Sequence, residues 1–516
     1  MISKQAINNI SKKFKSFYFA DVEKFRSNFL KLKSTFSEFW DNFNIAYSYK
    51  TNYLPLFCYE VNNLGGFAEV VSEMELELAL KVGVGYDKII WNGPIKNFDV
   101  LEKFIVNGGH LNVDNADEFK FLIELSKKPS VRNIEFGLRV NFDVGDGVVS
   151  RFGVAYPSDD FDYILKTINK NERLKFVGLH CHFARRNVEF WPRRISGILN
   201  IISDYNLDLK YLDFGGGLYG ELDKDLANQL HVSEFKYIDY AHAVFDTLNP
   251  FFQNKKHPLI LIEPGTAIVA DCMQYLTQVS SIKKVREKDF VTLYGSQKNI
   301  SMLGINPPLT IIDFSYEKIH VNNADFVGYT CIENDVLYRG FTGEIGKNDF
   351  VCFGNCGSYS IVMKPPFIFP NCPIFANVNG NLIKVKITDK NGTVTTAVIK
   401  GEPWTLHYTV EFTEDIKAPI FAFTVKNIRG TEITGTNSMF EKAFLDGVKK
   451  GAKKKVSFTQ NMDLQGGEYL LSLGVTGYEE DKFQVYHRLY DVLNVTVVSD
   501  KDTVGYFDMN SKVVVE

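Results

Sequence analysis

The sequence predicts three structural units in one chain: a (β/α)8 barrel over residues 21–275, a β domain assembled from residues 1–20 and 276–376, and a β-sandwich over residues 377–516. Three observations carry this prediction. From about Asp21 to Ala270, short apolar β-rich runs alternate with longer amphipathic segments, about eight times in ~250 residues, the size of a closed parallel barrel. After Asp271 the helical period fades into strand-like segments. From Asn377 to Glu516, alternating strands are punctuated by turn signals, the pattern of an antiparallel sandwich.

The barrel candidates in chain order are Ile45–Tyr49, Lys88–Trp91, Leu111–Val113, Glu135–Asn141, Phe176–His182, Tyr211–Phe214 and Leu259–Ile262, each followed by a loop and a helix-like stretch. Segments Gln278–Val285, Phe290–Tyr294 and Asp349–Phe353 read as the β domain, joined by Phe17–Ala20 from the start of the chain. Pro365 to Ala376 holds four of the sixteen prolines, which breaks regular structure and marks a boundary. Beyond it, Asn379-Gly-Asn, Lys390-Asn-Gly and Gln465-Gly-Gly-Glu supply turns. Lys449, Lys450 and Lys453 to Lys455 read as a solvated loop.

Composition narrows the function. Hydrophobic residues make up 45% and charged residues 23%, so the chain is folded throughout. A formal net charge of -4 argues against a nucleic-acid partner, which needs a concentrated basic surface. Met1 to Lys15 lacks an apolar signal region, and no later run is long enough to cross a bilayer, which points to a cytoplasmic protein with no membrane span. Seven cysteines without ligand spacing fit a reducing compartment and predict no metal.

Short patches in fixed order carry the chemistry. The first, Tyr47-Ser48-Tyr49-Lys50, closes an apolar stretch where a barrel strand would deliver an amine into a pocket. A lysine alone is more often a solvated charge. It is followed by Leu179-His-Cys-His182, Asp213-Phe-Gly-Gly-Gly217, Glu263-Pro-Gly265, Cys331 with Asp335, and Gly357-Ser-Tyr359. Weaker patches are Ala68-Glu-Val-Val-Ser72, Asn92-Gly93, Asn112-Val-Asp114 and Arg151-Phe-Gly153.

In shared order and spacing, this array resembles the fold-type III pyridoxal-phosphate decarboxylases, the family of ornithine, arginine and diaminopimelate decarboxylases, over roughly residues 17 to 370. The resemblance implies the barrel and β domain of the alanine racemase/ornithine decarboxylase type, with pyridoxal 5'-phosphate as cofactor. It implies that Lys50 bonds the cofactor aldehyde and that Glu263 faces the pyridine nitrogen, keeping it protonated. His182 would stack on the ring. Gly215, Gly216 and Gly217, with Gly265, Thr266 and Tyr359, would hold the phosphate. Glu69, Glu75 and Arg139 would line the pocket. Cys331 and Asp335 would reach the active site of the other subunit, with Cys331 as proton donor, which implies a homodimer with shared sites.

Three departures bear on substrate. Phe183, Ala184 and Arg185 follow His182 where the family has an apolar residue, Gly and Ser, so Arg185 would take over an anion contact or would be a solvated helix-start residue with Arg186. Thr266 stands where the family has arginine. Ile332 follows Cys331 where ornithine and diaminopimelate decarboxylases place an acid for the distal ammonium. A buried ammonium without a carboxylate costs several kcal/mol, so the substrate is expected to lack one unless Glu333 compensates.

Four segments, Trp404-Thr-Leu-His-Tyr-Thr-Val, Pro419 to Asn427, Gly435-Thr-Asn437 and Gly467 to Val475, resemble the C-terminal domain of O-antigen ABC-transporter ATPase subunits. That domain is an immunoglobulin-like, polysaccharide-binding sandwich. The resemblance implies a glycan at the C-terminal domain, although Trp404, Tyr408, Tyr486, His487 and Tyr490 serve equally as packed core. The expectation is therefore a decarboxylase for an amino acid or aminoacyl conjugate in capsule or lipopolysaccharide biosynthesis. Rival readings are an ornithine-, lysine- or diaminopimelate-type decarboxylase, a racemase, which would need a tyrosine base where Cys331 stands, and a non-catalytic glycan-binding scaffold.

Overall fold

The computed structural model describes residues 2–363 apart from 132, 233–234 and 301–304, together with 367–369, 371–377, 385–412, 415–427, 430–479, 482–501, 504–507 and 514. The chain divides into two compact units, Met1–Asn377 and Val378–Glu516. The Asn379-Gly-Asn turn and the prolines at 365, 366 and 370 lie outside the described residues.

Strand β1 (Ser16–Asp21) precedes the barrel, whose strands are β2 (Phe43–Ser48), β3 (Phe67–Val70), β4 (Ile89–Trp91), β5 (His110–Val113), β6 (Ile134–Asn141), β8 (Leu174–His180), β9 (Tyr211–Asp213) and β10 (Leu259–Ile262), with the two-residue β7 (Val154–Ala155) appended to β6. Every pairing is parallel, in the order β5-β4-β3-β2-β10-β9-β8-β6, and β5 pairs with β6 to close the ring. These strands are short and buried on both faces, as a helix-wrapped parallel sheet requires. Strand β3 was not among the seven predicted strands; its Phe67-Ala-Glu-Val70 run registered only as a motif because it contains a carboxylate that turns out to be fully buried.

The helices seal the barrel by ordinary rules. In Val22–Ser37, Asp21 caps the first turn by accepting from Lys24 N–H at 3.1 Å, and Phe25, Phe29, Leu32 and Phe36 fall on one buried stripe. Each such side chain contributes roughly 1.5–3 kcal/mol of burial. Trp191–Tyr205 carries Pro192 in its first turn and ends at Asn206 with φ 48°. Arg194 shares its buried face with Ile195, Ile198 and Ile202.

The β domain follows with β11 (Met273–Val285), β12 (Lys288–Leu293), β13 (Leu309–Ile312), β14 (Ile319–Val327), β15 (Val336–Ile345), β16 (Phe350–Phe353) and β17 (Ile374–Asn377). β1 pairs antiparallel with β11, Phe17 opposite Leu276, and parallel with β17. The domain is thus built from both sides of the barrel in sequence, and the proline-rich stretch ends in a strand.

The second unit has two sheets, β19-β18-β21-β24 and β20-β26-β25-β22-β23, from β18 (Val385–Thr388), β19 (Val394–Thr395), β20 (Ala397–Ile399), β21 (Pro403–Glu411), β22 (Ile420–Asn427), β23 (Glu432–Asn437), β24 (Lys453–Asn461), β25 (Gly467–Glu479) and β26 (Lys482–Val498). Alternation places Trp404, Leu406, Tyr408 and Val410 of β21 inside, against Phe421, Phe423 and Val425 of β22. Tyr408 and Trp404 are therefore core residues, and Tyr486 and His487 are half-buried. Lys453 to Lys455 begin strand β24 instead of lying in a loop.

Candidate active site

The polar residues of the first unit converge at the C-terminal ends of the barrel strands. Lys50 lies two residues beyond β2, and its Nζ donates to Glu69 Oε2 at 2.5 Å. Glu69 is fully buried on β3, opposite Ser48 in register, and also accepts from Ser48 Oγ at 2.7 Å and Asn92 Nδ2 at 3.2 Å. Asn92 donates onward to Glu263 Oε1, accepts from Asn112 Nδ2 at 2.9 Å, and Asn112 accepts from Tyr211 OH at 2.7 Å. A continuous polar chain therefore links the amine to the acid across four strands. Burial alone would lower the Lys50 ammonium, but Glu69 and Glu263 outweigh it and hold it above its ordinary value.

Glu263, just past β10, is enclosed by His180 Nε2 at 3.3 Å from Oε1 and His182 Nδ1 at 3.5 Å from Oε2. Burial opposes its charge, yet His180 and Lys50 keep it well below the usual carboxylate range. Asp213, at the end of β9, shifts the other way: burial first and then the Glu263 charge push it well above. Two neighbouring acids are thus shifted in opposite directions, Glu263 toward its charged form and Asp213 toward its neutral one. Burial draws His182 down to about 4, so the ring is neutral, and its Nδ1 accepts from Gly216 N–H at 3.0 Å. His180, His182 and Glu263 also bring donor atoms within 4.8 Å of one another, but the Gly216 bond already occupies His182 Nδ1.

The glycine loop follows β9. Gly215 has φ 67°, and a Cβ there would lie 2.4 Å from Cys181 O, so no side chain fits between the β8 and β9 loops. Its carbonyl accepts from Glu263 N at 2.9 Å, which fixes the acid to the loop. Gly217 has φ 88°. Gly265 packs against Thr51, and Thr266 begins a short helix, half-buried. Tyr359 is held at φ 60°, a conformation costing roughly 1–2 kcal/mol for a residue with a Cβ, by its N–H bond to Thr51 O at 2.9 Å. Arg139 on β6 pairs with Asp114 Oδ1 at 3.4 Å and stacks 4.7 Å from the Phe152 ring centroid.

Other expected residues stand apart. Cys331, Ile332 and Glu333 are exposed on the loop between β14 and β15. Asp335 is buried, and its carboxylate accepts from Ser296 Oγ, Gln297 N–H and both Thr330 N–H and Oγ, so it organises its own loop. The Arg185 side chain is exposed, and its carbonyl accepts from Arg194. Glu75 spends its carboxylate capping helix Glu73–Lys81 through Val71 N–H at 2.8 Å, and burial raises it to about 7. Sequence reasoning missed Lys96, which reaches both Glu118 oxygens at 2.9 Å beneath the pocket, and Arg194. Neither carried a signal, since a buried cation and a solvated one are written with the same letter.

This donor set fits pyridoxal phosphate. It offers one primary amine, an ionised buried acid, a neutral imidazole beside that acid, and a loop whose Gly217 N–H bonds no other described residue.

Comparison with known proteins gives the same outline. Residues 22–270 match the family described as pyridoxal-dependent decarboxylase, pyridoxal binding domain, and residues 374–509 match the Wzt C-terminal domain. A diaminopimelate decarboxylase of Aquifex aeolicus is 27% identical over 364 residues, 66% of this chain and 82% of the relative. One from Pseudomonas aeruginosa is 24% identical over 324 residues, 58% and 73% of the two chains. Among solved structures, diaminopimelate decarboxylase of Helicobacter pylori complexed with L-lysine superimposes with TM-score 0.63 at 22% identity, covering 72% of this chain and 94% of that one. The Paramecium bursaria Chlorella virus arginine decarboxylase gives 0.60 at 19%, covering 72% and 100%. At these identities the superpositions establish the fold.

Proposed function

We propose, from the premise that this chain belongs through residues 22–270 to the pyridoxal-dependent decarboxylases, that it decarboxylates an amino acid or aminoacyl conjugate without a distal ammonium. The class itself is plain: the chain is a pyridoxal-phosphate-dependent amino-acid decarboxylase. One observation carries the site assignment, the buried chain Lys50–Glu69–Asn92–Glu263 at the barrel mouth.

Pyridoxal phosphate, when bound, supplies the electron sink for the pair left as carbon dioxide departs. Lys50 is the amine that attaches the cofactor, held by Glu69 at the strand end. Glu263, ionised in its cage of His180 and His182, keeps a proton on the pyridine nitrogen. His182 presents an uncharged ring, and Tyr359 with the glycine loop holds the phosphate.

The substrate reading rests on Ile332, an apolar side chain 47% exposed in the single chain. It has no carboxylate to offer an ammonium. The names of the relatives favour a second reading, a diaminopimelate-, ornithine- or lysine-type substrate. Carbon dioxide release from the loaded protein against acidic, neutral, basic and conjugated amino acids separates the two. Brisk turnover of a basic substrate would sink the Ile332 argument.

Cys331 can serve a site only if a second copy covers its loop, so we assign shared sites in a homodimer. Mixing inactive Lys50→Ala and Cys331→Ala proteins should restore about a quarter of wild-type activity, since random exchange makes half the dimers mixed with one intact site each. No recovery after verified subunit exchange would remove the shared site.

The second unit supports a role near a surface glycan. Between edge strands β23 and β24 lies a cavity of about 710 Å³ lined by Trp404, Phe423, Thr436, Lys455, Phe458 and Gln460. Trp404 Nε1 and Gln460 Nε2, on paired positions of β21 and β24, are buried donors without partners among the described residues. Sugar hydroxyls would satisfy them. Trp404→Phe keeps the packing and removes one donor, so binding of oligosaccharides from the cell's surface polysaccharide should weaken about tenfold, with decarboxylation unchanged. Unaltered affinity would place any glycan elsewhere.

A further inference from the structure

Arg194 is fully buried on helix Trp191–Tyr205 and makes no ion pair with a carboxylate among the described residues. Its Nη1 donates to Gly216 O at 2.9 Å, and its Nη2 donates to Phe183 O at 3.4 Å and to Arg185 O. Its guanidinium lies 4.5 Å from the Trp191 ring centroid, and Nη2 would sit 3.4 Å from a Cβ on Gly217. Burial draws it down to about 10, so it is charged at neutral pH. Carbonyl dipoles offset part of the desolvation of such a cation, but a buried charge without a counter-charge remains costly. The missing charge is negative and belongs near the glycine loop.

Peptide geometry says how the loop transmits this. In a trans peptide the C=O and the following N–H point in opposite directions. With Gly216 C=O turned onto Arg194, Gly217 N–H points away from it; with Phe183 and Arg185 carbonyls turned the same way, so do the N–H groups of Ala184 and Arg186. None of these three N–H groups bonds another described residue. Thr266, at the neighbouring loop, brings no charge. We propose that Arg194 is the positioning cation of the phosphate cradle: it aligns the Gly216–Gly217 peptide and the 183–186 loop toward the cofactor phosphate and supplies from behind the positive charge that the dianion requires.

This rests on the reading of the glycine loop as the phosphate site, and the test separates the two. Apoprotein is titrated with pyridoxal phosphate and with phosphate-free pyridoxal, followed by the visible band and by tryptophan quenching, with inorganic phosphate as competitor. Wild type is expected to prefer the phosphorylated form strongly and to lose it to phosphate. Arg194→Gln should weaken pyridoxal phosphate at least tenfold while pyridoxal changes less than threefold, with Arg194→Lys between. Equal weakening of both ligands, or no weakening, overturns the role of Arg194. If the glutamine variant does not fold, the lysine variant decides by the same ratio and by its phosphate inhibition constant. Equal affinity of wild type for both ligands would overturn the loop assignment itself, and this inference with it.

Discussion

Lys50→Ala should release carbon dioxide at least about 10⁴-fold more slowly than wild type and lose the visible band of the lysine-bound cofactor, because removal of a covalently acting residue is among the most damaging changes an enzyme can suffer. The fold should survive. Glu69 loses its partner at 2.5 Å but keeps Ser48 Oγ and Asn92 Nδ2. Breaking a wholly buried pair costs about 3–5 kcal/mol, and here the lysine side chain is 32% exposed, so the loss is smaller. Stopped assays on folded, cofactor-saturated protein check both halves. A variant with a normal band and residual turnover within a factor of ten would show that another amine does the work.

Glu263→Gln should lower kcat by about 10²–10³-fold, the usual effect of removing one preorganised electrostatic group, while the cofactor still binds. The wild-type acid is ionised against its burial because His180 and Lys50 stand beside it. An amide offers no charge to keep the pyridine nitrogen protonated. Burial first and then the Glu263 charge raise Asp213, so without that charge Asp213 should titrate lower in the variant, readable as a carboxylate band by infrared difference spectroscopy. Retention of kcat within threefold would remove Glu263 from the mechanism.

Lys50, Glu263, His182 and the Gly215–Gly217 loop were legible because each sits in a short patch whose order along the chain is the order of barrel strands, and every strand end faces the same mouth. The partners of Asp335 were not legible, because a saturated carboxylate and a free one look alike in sequence; only its four hydrogen bonds distinguish them. Arg185 draws attention by lying three residues after His182, whereas the buried arginine is nine residues later still, carried inward by a 3₁₀ turn and the first turn of helix Trp191–Tyr205. Strand β3 escaped because its central glutamate breaks an apolar run, and its burial makes sense only once Lys50 and Asn92 are beside it.

By itself the sequence determined what depends on local order: the barrel's periodic strands and helices, the switch to β structure after Asp271, the alternating sandwich, and the chemical groups a pyridoxal enzyme needs. Tertiary structure alone decided what depends on proximity between distant residues. It joined Lys50 to Glu263 through Glu69 and Asn92, drew one of two adjacent acids down and pushed the other up, and set a buried arginine against the Gly216 carbonyl. Charge states and partners arise from burial and from fields acting over a few ångströms, and those distances exist only after the chain has closed its barrel.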